Sequence, residues 1–362
     1  MLATAPPVPG PGARRIRAGP HRLVTFRGEG RVRQRRSEFD VTNTVQVSDP
    51  QAVHAAVVGI MRGCFPGRGF ERLATAYADV VRLFRGEYPG YRGCETWYHD
   101  LQHTLDMTLA LARLIDGHER SEPEDQRIGV ERAEVALITG LFHDSGYMRR
   151  ERDTRHVHGA EYTRTHVTRS GKFLGDYLPG VGFGQHAAMV AQLVHFTGYE
   201  IAFDKIQVED PLWRRAGHLI GTADLIAQMA DRCYLEKCRD RLYKEFLLGG
   251  VARSSAPDGT AVVTYASPRD LLLKTPGFCT KTRRDRLDAA FGSVYRYAAV
   301  HFGGINHYIE SIDGSLAHLS RVIASDDWNL LRRRPPCFTA EALRGLPAHA
   351  PALPPTAYEV YC

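Results

Sequence analysis

The chain has 362 residues, 43% of them hydrophobic and 24% charged, with a formal net charge of +6. That is long enough and apolar enough to bury a sizeable core, and it is not the composition of a disordered chain. The positive balance is mild and gathered near the ends, so it points to solubility and tolerance of anionic ligands, and no recognisable nucleic-acid module accompanies it.

Residues 1–48 open with a stretch rich in Pro, Gly and Arg and without periodicity, and they are expected to form a flexible basic tail. From Asp49 the pattern turns helical, with Asp49 as a cap and Pro50 in the first turn. The three- and four-residue spacing of apolar positions predicts further helices over Phe70–Phe84, from Thr96 to about Ile115, and over Val130–Leu141. It continues over Ala160–Arg169, Gly184–Val194, Leu212–Tyr243 with breaks near Gly217 and Gly221, Thr282–His301 and Asn306–Ile323. A small strand pair is expected around Ala261–Tyr265. Residues 49–330 therefore read as one all-α helical domain, and the Pro-rich residues 331–362 as a second tail. No stretch reaches 18 consecutive apolar residues, and the seven cysteines form no metal-ribbon or redox spacing. Both features, with an N-terminus unlike a signal peptide, give a cytoplasmic expectation.

Three segments carry chemistry. In Tyr98-His99-Asp100-Leu101-Gln102-His103, His99, His103 and Asp106 fall at i, i+4 and i+7, one face of a helix, a plausible wall for a metal site. His143-Asp144 follows the apolar run Val135–Phe142, where an ionised aspartate needs a partner to offset its desolvation. Asp224 interrupts the apolar stretch Leu219–Ala230 in the same way. Imidazole and carboxylate ligands together suit divalent iron, manganese, zinc or nickel. Arg149, Arg150, Arg152 and Arg155 follow the dipeptide closely and could clamp a phosphate.

The order His103, His143-Asp144, Asp224 resembles the HD superfamily of metal-dependent phosphohydrolases. The stretch from Tyr98 to Asp106 is similar to the Tyr-His-Asn-x-x-His-Ala-x-Asp motif of class I cyclic nucleotide phosphodiesterases. The chain departs from that motif at Asp100, where the phosphodiesterases have Asn, and at Ser145-Gly146-Tyr147, where they continue x-x-His-Pro-Gly. The resemblance spans about residues 95–325 and implies an HD-domain helical bundle. It implies one or two divalent metal ions held by His103, His143, Asp144 and Asp224, with His99 as general acid and Asp100 orienting His99 or a ligand. The implied reaction is hydrolysis of a phosphodiester bond of a (cyclic) nucleotide by a metal-activated water. A looser resemblance to the HD-GYP branch adds His158 and His195 as candidate ligands, with His186 and His156 behind them. His166, His218, His301, His307 and His318 read as surface or core histidines. The alternatives are a nucleotide phosphomonoesterase, an HD oxygenase, or a degenerate HD domain that senses a nucleotide or binds a partner.

Overall fold

The computed structural model describes residues 35–344. They are mostly helical. The helices are α1 (Pro50–Cys64), α2 (Glu71–Arg85), α3 (Leu101–Ser121), α4 (Gly129–Phe142), α5 (His166–Tyr177), α6 (Ala187–Leu193) and α7 (Pro211–Ala230). They continue with α8 (Tyr234–Lys237), a π-helical turn Cys238–Leu242, α9 (Tyr243–Leu248), α10 (Pro268–Thr282), a second π-helical segment Arg283–Ala290, α11 (Tyr297–His301), α12 (His307–Ser325) and α13 (Ala340–Arg344). A two-stranded antiparallel ribbon, β1 (Arg253–Ser255) and β2 (Ala261–Val263), pairs Ser254 with Val262.

Helix α3 is the axis of the bundle, because α1, α4, α7 and α11 all pack against it. It is buried nearly all round from Leu101 to Ile115, which is the pattern of a core helix rather than an amphipathic surface one. Its start is fixed by Asp100, whose side chain accepts from the His103 amide. Helix α7 starts on Asp210, which accepts from the Leu212 and Trp213 amides, with Pro211 in the first helical position.

The structure departs from the sequence expectations in several places, three of which concern α7, α10 and the limits of the body. Helix α7 runs unbroken through Gly217 and Gly221. Both glycines are there for contact: a Cβ on Gly217 would stand 2.6 Å from the Phe196 ring and one on Gly221 2.4 Å from the Phe196 carbonyl oxygen. The break falls at Asp231, whose carboxylate accepts from the Cys233 amide. Helix α10 was hidden by Pro276 and Gly277 in its interior, although Ser267 caps it, accepting from the Asp270 amide, and Pro268 opens it. The packed body also extends beyond 49–330 on both sides. Asp40 is fully buried and ion-paired with Arg113 of α3, and Phe338 is buried with its amide donating to Asp100. The remainder of both expected tails lies outside the described residues.

Candidate metal centre

His103 sits in the first turn of α3, His143 caps the C-terminus of α4, and Asp144 follows it directly. Their ligand atoms lie within 4.8 Å of one another, and all three residues are buried. Asp224, in the middle of α7, adds a second carboxylate, with its Oδ1 3.2 Å from His103 Nε2 and 3.7 Å from His143 Nε2. Asp144 Oδ2 stands 3.1 Å from His143 Nε2 and 3.5 Å from His103 Nε2. The three segments singled out in the sequence therefore converge, brought together because α4 and α7 both pack on α3.

The tautomer of His143 shows what the cluster can hold. Its Nδ1 donates to the Gly140 carbonyl at 2.8 Å, so in the neutral ring Nε2 carries a lone pair. That lone pair faces carboxylate oxygens, and His143 Nε2 and Asp144 Oδ2 are both buried without a hydrogen-bond partner. Acceptors buried against acceptors are costly unless a cation or a proton lies between them. Without a metal, burial opposes a charged His143, but the Asp144 carboxylate and then Asp224 outweigh it and push the imidazole pKa up to about 9. Burial likewise works against the charge on Asp144, yet the neighbouring His143 holds its carboxyl well below the usual range. The donor set thus fits a divalent cation, with two imidazoles and one or two carboxylates.

His166 also joins this group, although the sequence reading left it aside as a structural histidine. Its Nδ1 donates to the Thr163 carbonyl at 2.8 Å, which turns Nε2 towards Asp144 Oδ1, 3.7 Å away. The Glu200 carboxylate accepts from the Val167 and Thr168 amides and so fixes the α5 N-terminus that carries His166. Tyr147 is stacked between His99 and His166, at ring separations of 4.6 and 4.3 Å. No spacing in the sequence marks His166. Only its place at the start of α5, packed on the turn that follows Asp144, brings it in.

His99 is not on α3, which begins after it, so the expected helical face of His99, His103 and Asp106 does not form. His99 instead lies in the preceding loop and lines the same cavity as His143, Asp144 and Asp224. Its Nδ1 donates to Glu245 Oε2 at 2.6 Å. The resemblance suggested Asp100 as a possible orienting group, but Glu245 of α9 is the partner of His99, while Asp100 caps α3 and lies 3.6 Å from Arg241. Burial opposes the charge on His99, and Glu245 outweighs it and raises its pKa. Asp106 is not part of the cluster and lines a small pocket with His103 and Gln102, where burial pushes its pKa up to about 7.

The other candidates do not reach the cluster. His158 Nδ1 accepts from the Ala160 amide and its ring rests on Trp97, a capping role. His195 is buried in a short 3-10 turn outside the cavity wall. His156 pairs with Asp153, and His186 with Glu131. Arg149 forks onto Glu95 and Arg150 lies over the Tyr91 ring, so neither faces the cavity, whose cationic residues are Arg164 and Lys274.

Among the described residues no helix is long and apolar enough to cross a membrane. The chain matches no known protein family, no curated protein and no solved structure.

Proposed function

We propose that this chain is a metal-dependent phosphoester hydrolase, with His103, His143, Asp144 and Asp224 holding a divalent cation. The observation that carries the reading is the convergence of buried acceptor atoms, His143 Nε2 and Asp144 Oδ2 foremost, at the wall of a ligand-sized cavity. A bound divalent cation supplies Lewis-acid chemistry, neutralising phosphoryl charge and lowering the pKa of water.

The remaining roles fall to the chain's own side chains. Hydrolysis joins a water oxygen to phosphorus and breaks the bond from phosphorus to the departing alcohol oxygen, and that oxygen must gain a proton. His99 lines the cavity with Nδ1 committed to Glu245, which leaves Nε2 to give that proton. Tyr147, stacked between His99 and His166, braces both rings beside the centre. The nucleotide substrate implied by the resemblance is one member of this class of esters.

The test is hydrolysis of bis-p-nitrophenyl phosphate by chelated full-length protein, with manganese, nickel, iron or zinc restored singly, beside Asp144→Ala. Metal-dependent release of p-nitrophenolate that vanishes in the variant is expected. Absence of turnover with every metal, while metal analysis shows the protein loaded, would overturn the reading.

A further inference from the structure

The cavity that holds the candidate centre has a volume of about 660 Å³, enough for a ligand far larger than phosphate. Its lining is of two kinds. One part carries His99, His143, Asp144, His166 and Asp224. The other, the apolar wall of the chamber, is built from Leu225, Leu242, Phe246, Val251, Leu271 and Phe278. Tyr265 belongs to the same wall and stacks on Phe246 at a ring separation of 5.7 Å.

Several polar side chains of the lining are already bonded to the protein. Thr275 Oγ1 donates to the Leu271 carbonyl at 2.9 Å, and Thr197 Oγ1 to the Val194 carbonyl at 2.8 Å. Gln228 is engaged at both ends, accepting from the Tyr98 hydroxyl and donating to Asp224. Lys274 Nζ donates to the Thr264 carbonyl and to Asp270, both at 2.8 Å, and Arg164 to the Gly250 carbonyl. A ligand group seated here finds mostly apolar surface, and the donors left to it are the third hydrogen of Lys274, the remaining N–H groups of Arg164 and the Tyr199 and Tyr265 hydroxyls. A nucleobase must replace all its lost water through these few groups, whereas an alkyl chain or plain aromatic ring needs no replacement.

We propose that the substrate is a phosphoester whose organic group is bulky and apolar, seated against this apolar wall while its phosphate faces the centre. The inference rests on the hydrolase reading above for the word substrate, and on the chamber alone for the binding preference. The reaction is the same hydrolysis: water adds at phosphorus, the ester oxygen leaves with a proton, and no other reactant is consumed.

The two parts can be tested separately with manganese-loaded full-length protein. Calorimetry compares hexyl phosphate, ethyl phosphate and 3′,5′-cyclic AMP as ligands. In parallel, hexyl and ethyl p-nitrophenyl phosphate share one leaving group and differ only in the tail, so their kcat/KM values report the chamber. Each methylene fully buried is worth about fourfold in affinity, so hexyl should exceed ethyl by roughly tenfold or more in both measurements. Phe278→Ser should shrink that preference at an unchanged melting temperature, since Phe278 is exposed enough for the fold to tolerate the change. Equal binding of hexyl and ethyl phosphate, or tighter binding of cyclic AMP than of hexyl phosphate, overturns the proposal. Strong hexyl preference without any p-nitrophenolate release supports the chamber and overturns the hydrolase reading. Turnover that ignores the tail supports the hydrolase and overturns the chamber.

Discussion

At the scale of single residues, the centre is defined by nitrogens that have been given away. His143 spends Nδ1 on Gly140, His166 on Thr163 and His99 on Glu245, so each ring presents Nε2 to the site in a fixed orientation. The first two rings receive this from backbone carbonyls, which cannot titrate. The third depends on a buried carboxylate, and Glu245 is 0% exposed and also accepts from the Tyr98 amide. Glu245→Gln keeps the size of that group and loses its charge. If His99 delivers the proton to the leaving oxygen, this variant lowers kcat by about 10–100-fold while metal content stays at the wild-type level. Metal analysis beside steady-state kinetics checks it, and a variant that loses metal along with activity would show that Glu245 supports the fold of the centre instead. His143-Asp144 and Asp224 were legible because each is an ionisable group set in an apolar run. His166 and Glu245 were not, because each sits in a polar stretch where a charged residue is unremarkable.

At the scale of elements, the least legible part of the site was a charged stripe. Lys237, Arg241 and Glu245 recur every four residues, a spacing that suits a solvated helix face as well as a buried one. In the structure all three are buried, and they grip the segment that leads into α3 and its first turn. Lys237 donates to Gln102, Arg241 approaches Asp100 and the Trp97 carbonyl, and Glu245 takes His99 and the Tyr98 amide. The π-helical turn Cys238–Leu242 lies within this stripe, a local widening frequent where a helix serves a site. Periodicity shows that three residues share a face and cannot show whether that face meets water or protein. Glycines carry a similar ambiguity, which close approach resolves. A Cβ on Gly146 would stand 1.8 Å from the His166 carbonyl oxygen, whereas one on Gly175, inside the same helix α5, would meet nothing within 4 Å. Gly146→Ala must therefore push α5 from the turn after Asp144, at a cost of about 1–3 kcal/mol, and carry His166 away from the centre. Gly175→Ala should instead stabilise by about 0.5–1 kcal/mol through helix propensity. Urea unfolding of the two variants gives opposite signs if this contact is what Gly146 is for, and the same sign if it is not.

At the scale of the molecule, the all-helical body was readable because apolar spacing marks most of the longer helices and side-chain caps mark some of them, from Asp49-Pro50 at α1 to Asn306 at α12. Its limits were not, because Asp40 enters the body through one ion pair rather than through an apolar stretch. Asp40 accepts from the Thr44 and Val45 amides and from Arg113, which also donates to Tyr308 of α12, so one buried pair ties the chain before α1 to two helices. Removing one partner leaves the other charge buried, and Asp40→Ala should cost about 3–5 kcal/mol in urea unfolding. A loss well under that would mean that Arg113 finds water or another partner.

The same dense packing makes the bundle sensitive to acid. His118 lies fully buried against Tyr297, and His218 lies among Phe196, Phe203 and Phe291 at ring separations of 5.5, 5.6 and 5.7 Å. Burial, and then the charge of Arg215, lowers the pKa of each from 6.5 to about 4. In the unfolded chain these imidazoles take up protons below about pH 6.5, and in the folded chain only near pH 4. The unfolded state therefore binds more protons across that window, and stability falls as the pH drops through it. The loss approaches roughly 3 kcal/mol for His118, and less for His218, whose ring keeps some contact with water. His218→Phe completes an aromatic cluster and removes one of the two titrations. Its unfolding free energy relative to the wild type should rise steadily between pH 7 and pH 4.5. A difference that is constant across that range would mean that His218 titrates in the folded protein as it does in the unfolded chain, its burial relieved by motion of α7 against its neighbours.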